Sequence, residues 1–185
     1  GCYYSKNRKI NMIEWHQTLI PNPGYANTVY TNNKWNYVVV PKCASSIIID
    51  SMNLQPGIDR NAKSFTFIRN PIERLKSYIF QTKCFDVDST NKKIENVLHN
   101  YDNNDAHCYP YSKYIVKNDF DFIGTLERFD DDFKNITNII IQKMSDRDEA
   151  TEINDMYDRC LNNYLVDLNN VYADDFKLFN EVQIA

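Results

Sequence analysis

Two short stretches of the chain are almost wholly apolar, residues 37–40 (Tyr-Val-Val-Val) and residues 64–68 (Ser-Phe-Thr-Phe-Ile). Runs of this length, rich in β-branched and aromatic residues, predict interior strands. Directly after the second run comes Asn70-Pro71-Ile72-Glu73. A capping asparagine, a proline suited to the first helical position and a glutamate three residues after the cap together predict a helix start. Ile72, Leu75, Tyr78 and Ile79 then recur at helical spacing, which carries that helix to about Gln81 and gives it one buried face. Residues 121–125 form a weaker third strand, and helices are predicted over about 90–101, 128–143 and 152–166. Strands followed by helices predict an α/β fold, a single domain over residues 1–185 with a central parallel sheet flanked by helices. No repeat, low-complexity linker or Pro/Gly-rich break divides it.

Between the first apolar run and Ile47-Ile48-Ile49 lies Pro41-Lys42-Cys43-Ala44-Ser45-Ser46. Two readings are open for this loop. A hairpin tip is favoured by the three isoleucines, which are β-branched and poor helix formers. If residues 38–40 are instead a central strand, the loop turns at its carboxyl end and Ser45 or Ser46 opens a helix. Backbone N–H groups and hydroxyls then converge on an anion, with Lys42 adding a mobile positive charge. The stretch is not a Walker A loop, because G-x-x-x-x-G-K-[ST] is missing and it contains no glycine. The second strand moves the balance toward the cradle. It ends at Arg69, which can grip a phosphate with both arms of its guanidinium, and Ser77 follows two turns into the predicted helix.

Composition narrows the field without deciding it. A chain of 185 residues with 43% hydrophobic and 14% aromatic content is folded, and it can bury roughly 70% of its unfolded surface. No apolar run approaches the roughly 18 residues of a membrane span. The amino-terminal residues lack the regions of a secretory signal, so the expectation is a soluble protein, cytoplasmic by default, or of the Golgi lumen if an anchor has been removed. Five cysteines, at 2, 43, 84, 108 and 160, show neither CxxC nor Cys/His spacing, which argues against structural zinc and for reduced thiols. Net charge of −4 argues against a nucleic-acid binder. That charge is unevenly spread: residues 1–93 hold 13 Lys/Arg against 6 Asp/Glu, or +7, whereas residues 94–185 hold 8 against 19, or −11. The first half suits an anionic ligand; acidic runs such as Asp130-Asp131-Asp132 are expected to face water.

Taken together, "VPKCASS" and "FIRNPIERLKSY" resemble the two nucleotide-binding motifs of the sulfotransferases that use 3′-phosphoadenosine 5′-phosphosulfate (PAPS). The resemblance implies a P-loop-like sulfotransferase fold in which Lys42, Cys43, Ala44, Ser45 and Ser46 hold the 5′-phosphosulfate, while Arg69 and Ser77 hold the 3′-phosphate. Alanine at 44 is similar to the loop of the carbohydrate (Golgi-type, family 2) branch. Downstream, "AHCYPYSKYIVKNDFDFIGTLERFDDDF" resembles that branch's His-x-x-Pro element followed by a strand and Gly-x-x-Glu, and "VYADDFKLFN" its closing Tyr-x-x-Asp-Phe-x-x-Phe. These matches, in order, cover most of residues 37–180. Two departures stand: residues 53–65 leave no room for the long acceptor-binding insertion of many relatives, and position 45 is serine where some of the branch carry cysteine.

The implied chemistry is transfer of a sulfuryl group from PAPS to an acceptor hydroxyl, on a carbohydrate, leaving adenosine 3′,5′-bisphosphate (PAP). No metal is implied, since loop, lysine and arginine supply the positive field. Lys42 is the residue expected to stabilise charge on the leaving oxygen. A general base is also needed, and His107, in the His-x-x-Pro element, is the candidate. His99 is expected on a solvated helix face, and His16 lies in an amino-terminal segment that is placed only loosely. Glu127 and Asp175 are expected to cap a helix or bind acceptor. Two other classes remain: a P-loop small-molecule kinase, for which a Walker B aspartate and a magnesium-binding hydroxyl are not evident, and a non-catalytic nucleotide-binding or interaction module.

Overall fold

The computed structural model describes residues 29–100, 106–115, 119–138 and 151–184. Among the described residues five strands form one sheet: β1 (Val29–Thr31), β2 (Trp35–Val38), β3 (Gln55–Pro56), β4 (Lys63–Ile68) and β5 (Phe122–Thr125), in the order β3-β1-β2-β4-β5. The helices are α1 (Ser45–Ser51), α2 (Pro71–Gln81), α3 (Val87–Asn100), α4 (Phe129–Thr137), α5 (Thr151–Asn163), α6 (Leu165–Val171) and α7 (Ala173–Ile184). His16, Cys2 and residues 139–143 of the helix predicted over 128–143 lie outside the described residues.

The expected all-parallel sheet is corrected to a mixed one. β2, β4 and β5 run parallel, with Tyr37 opposite Phe65 and Phe65 opposite Phe122, but β1 is antiparallel to both β2 and β3. The physical cause is the turn Asn32-Asn33-Lys34, which is too short for a crossover and reverses the chain instead. Asn33 takes a left-handed φ of 66°, and the Asn32 side-chain carbonyl accepts from the N–H groups of Lys34 (3.2 Å) and Trp35 (3.0 Å). Both are habits of asparagine in turns. The third predicted strand and the helix starting at Pro71 form as expected, and α2 ends at Gln81. Its cap is also as read: the Asn70 side chain accepts from Ile72 N–H at 2.9 Å and Glu73 N–H at 3.4 Å.

Alternation along the strands sorts the core into two faces. Trp35, Tyr37, Val39, Phe65 and Phe67 point to one side and pack with Ile48 of α1 and Phe133 of α4. Val40 and Ile68 point to the other, where they meet Tyr111, Tyr114 and Phe179 of α7. A third cluster joins α2 and α3 to α5 and α6 through Leu75, Ile79, Ile94, Tyr157, Leu161 and Leu168, with Phe176 of α7 packed against it. No helix among the described residues is long and apolar enough to cross a membrane.

One close approach within the first face constrains the sequence. A Cβ added to Gly124 would stand 2.5 Å from Cε1 of Phe67 and 2.9 Å from its Cδ1 and Cζ. That ring is fully buried and hemmed by Phe129 at 5.1 Å and Phe133 at 6.3 Å, so it has no free direction in which to withdraw. Gly124→Ala is therefore expected to destabilise the protein by about 1–3 kcal/mol through overpacking, read as a lower urea midpoint with an unchanged slope.

Candidate functional site

Beyond β2 the chain runs through buried Val39, Val40 and Pro41 into a tight turn and then into α1. The hairpin-tip reading of this loop is thereby set aside, because the next strand to pair with β2 is the parallel β4. Lys42 and Ala44 both adopt left-handed backbone, at φ 68° and 58°, without being glycine. Such conformations cost on the order of 1–3 kcal/mol each, persist only where surroundings enforce them, and bend successive N–H groups into a concave array. Cys43 lies between them, fully buried among Val40, Ile68 and Tyr111, and burial pushes its thiol up to about 11. What Cys43 can offer a ligand is its backbone. Ala44 packs partly on the first core face, Ser45 is half-buried and Ser46 is exposed. Beneath the turn the Tyr37 hydroxyl, beside Ser45, makes no hydrogen bond of ordinary geometry.

Arg69 leaves β4 at its carboxyl end, on the strand next to β2. Both segments singled out in the sequence thus emerge on the same side of the sheet, at the edge where ligands of open α/β sheets commonly bind. Residues spaced by four share a face of a helix, so Glu73, Ser77 and Gln81 form a polar stripe along α2. Arg69 meets the start of that stripe, its Nη2 lying 3.4 Å from Glu73 Oε2. Lys42 meets its end, with Nζ donating to Gln81 Oε1 at 3.0 Å. Ser77 lies between them. Glu73 and Gln81 are eight residues apart, about 12 Å along the helix, so the two cations meet the stripe at separate points.

His107, in the short 3₁₀ turn Ala106–Cys108, stacks on Tyr78, with ring centroids 5.6 Å apart and planes at 15°. Tyr78 is one turn from Gln81, so His107 falls at the Lys42 end of the stripe and away from Arg69. Tyr78 also receives Lys93, whose Nζ lies 3.2 Å from the hydroxyl and 5.0 Å from the ring centre. His99 faces solvent near the end of α3, with Nδ1 2.7 Å from the Glu95 carbonyl. Glu127 does not cap its own helix. Its Oε1 accepts from the Asn70 N–H at 2.9 Å, tying the turn after β5 to the start of α2.

Several residues that organise this edge were not singled out in the sequence. Arg74, only 2% exposed, donates from Nε to the Pro41 carbonyl (3.1 Å) and from Nη1 to the Tyr109 carbonyl (2.6 Å). Its charge lies over the rings of Tyr111 (4.9 Å) and Tyr114 (5.7 Å). The signal was present: with Pro71, Leu75, Tyr78 and Ile79 buried, position 74 falls on the apolar face of α2. Tyr111 in turn holds Arg69, its hydroxyl donating to the Arg69 carbonyl and accepting from the Arg69 N–H. The closing segment reaches back to the same loop, since the Tyr172 hydroxyl donates to the Cys108 carbonyl (3.0 Å) and Asp175 Oδ1 accepts from the Tyr111 N–H (2.8 Å).

Comparison of the chain with protein-family models, curated proteins and solved structures finds no match.

Asp175 sets a pH dependence. Burial pushes its carboxyl up from 3.8 to about 7, outweighing the opposing pull of Arg74 and of the Tyr111 N–H, while Asp174 adds to the rise. Tyr111 and Tyr172 are the other titratable groups against it. Its Oδ2 is buried without a hydrogen-bond partner. Because the folded pKa lies above the unfolded one, the neutral acid favours folding: the contribution is full below about pH 4 and is lost as pH rises through about 7. Asp175→Asn keeps an acceptor for the Tyr111 N–H and cannot ionise. Melting temperatures of the two proteins from pH 4 to pH 8 are expected to diverge, with wild type losing ground to Asp175→Asn as pH rises. Parallel curves would contradict a buried, titrating Asp175.

Proposed function

We propose that the protein is a PAPS-dependent sulfotransferase acting on an acceptor hydroxyl, on a carbohydrate. The observation that carries this reading is the shared edge. The Lys42 turn and Arg69 leave adjacent parallel strands, and one polar helix stripe runs from one cation to the other. A ligand with two well-separated anionic groups matches that layout, and PAPS is such a ligand. In this reading Arg69 and Ser77 take the 3′-phosphate. The backbone of residues 42–46 and the hydroxyls of Ser45 and Ser46 take the 5′-phosphosulfate. Binding exchanges the Arg69 contact with Glu73 for phosphate oxygens, a favourable trade because a partly exposed ion pair contributes little.

The chemistry is an in-line displacement. The acceptor oxygen gives its proton to a base and forms a bond to sulfur, while the bond from sulfur to the 5′-phosphate oxygen breaks and PAP leaves with the negative charge. Lys42 stabilises that charge electrostatically, and its reach to Gln81 brings the ammonium to the end of α2 where His107 stacks on Tyr78. His107 is accordingly the base on the acceptor side.

The direct test is incubation with labelled PAPS and a mixed glycan panel, scored by transfer of label. It is accompanied by a thermal-shift titration with PAP. PAP at 100 times its dissociation constant is expected to stabilise the fold by about 2.7 kcal/mol with no metal added. Stabilisation only in the presence of magnesium and ATP favours the kinase; PAP binding without transfer favours the non-catalytic module.

Substitutions separate the roles. Arg69→Ala is expected to weaken PAP binding chiefly. Lys42→Ala is expected to slow turnover by roughly 100- to 1,000-fold, the usual loss for one transition-state electrostatic donor. His107→Gln is expected to bind PAP normally and lose about 100-fold or more in turnover. Michaelis constants and turnover for each variant decide the matter: if all three change the Michaelis constant alone, the assignment fails.

A further inference from the structure

We propose that Arg74 is a positioning residue whose guanidinium locks the Lys42 turn and the loop carrying His107 into one unit. The two segments are 66 positions apart, counted from Pro41 to His107, and belong to different connections. Arg74 touches both through their main chains, at the Pro41 carbonyl (3.1 Å) immediately before Lys42 and at the Tyr109 carbonyl (2.6 Å) two residues after His107. A planar, rigid fork fixes two acceptors relative to one another, which a single ammonium on a flexible stem does not. The rings of Tyr111 and Tyr114 hold the guanidinium in place, at 4.9 and 5.7 Å. The same Tyr111 clamps the Arg69 backbone with its hydroxyl and is itself anchored to Asp175 through its N–H at 2.8 Å. Arg69, Lys42 and His107 are thereby referred to one buried charge. None of these contacts needs a ligand to form.

The catalytic consequence rests on the sulfotransfer reading: a fixed offset between the Lys42 turn and the His107 loop keeps the leaving oxygen and the base on one line of transfer. The structural part is testable without it. Hydrogen exchange followed by mass spectrometry on the wild-type chain, over a range of sub-denaturing urea, is expected to show peptides 41–48 and 109–115 opening together with one urea dependence. In Arg74→Lys, which keeps the charge and most of the volume, both peptides are expected to exchange at least tenfold faster, while peptide 63–68 of β4 keeps its wild-type protection. The dissociation constant for PAP is expected to rise tenfold or more in the same variant. Independent opening of the two peptides in wild type overturns the proposal, as does an Arg74→Lys protein in which one segment alone loosens. If Arg74→Lys does not fold, the wild-type comparison decides by itself. Failure of wild type to bind PAP overturns the functional reading and leaves the exchange result standing.

Discussion

Parallel pairing of β2 with β4 is the constraint on which the candidate site depends. Two neighbouring strands running the same way cannot be joined by a hairpin; the chain must cross over and return. Here the return passes through the Lys42 turn, α1 and the edge strand β3, so the carboxyl ends of β2 and β4 open side by side. Pairing is held by buried aromatic contacts on one face, above all Tyr37 stacked on Phe65 with centroids 5.0 Å apart. Between the strands the Thr66 hydroxyl donates to the Val38 carbonyl at 2.8 Å. A one-residue slip of either strand would send its aromatic, Tyr37 or Phe65, to the opposite face and bring Asn36 or Thr66 into the first core. Register and site geometry are therefore one specification.

Above this edge the packing is polar and nearly sealed, a costly arrangement unless the charges are satisfied. Arg74 meets that condition with two main-chain carbonyls and two tyrosine faces. Asp175 meets it only by half: one oxygen accepts an amide, the other is unpartnered, and burial raises its pKa instead. The guanidinium remains charged across the ordinary pH range, whereas the carboxyl titrates near neutrality. This edge therefore gains positive character as pH falls through about 7, from a residue 98 positions beyond Ser77.

Much of this was legible in the sequence. The strands around residues 37 and 66 and the Asn70-Pro71 helix start are local signals, written in adjacent residues, and they survive folding because tertiary contacts agree with them. The loop was legible only jointly with Arg69. Ile47-Ile48-Ile49 lowers helix propensity, but α1 forms because Ile48 is wholly buried against the sheet and packing outweighs a few tenths of a kcal/mol. The mixed sheet was missed at Asn32-Asn33-Lys34, three polar residues whose turn chemistry is plain once the flanking strands are known; those strands are only three and four residues long. Asp175 and Arg74 were illegible as partners because their link runs through the Tyr109–Tyr111 backbone, and a sequence carries no record of which carbonyl a side chain will reach.

The absence of glycine from the turn is the least expected feature, because left-handed backbone is adopted freely by glycine and at a cost by other residues. Lys42 and Ala44 adopt it at a cost, and the energy must come from contacts elsewhere. Those contacts are identifiable. Pro41 is buried and bonded through its carbonyl to Arg74, Cys43 is fully enclosed in the second core face, and Ile48 pins the first turns of α1 to the first. A glycine at either position would relax the backbone and enlarge the unfolded ensemble at the same time, so its net effect on stability is small while its effect on loop order is large. A strained turn clamped at Pro41, Cys43 and Ile48 presents its N–H groups in one arrangement; on the proposed reading, that lowers the ordering that binding an anion would have to supply.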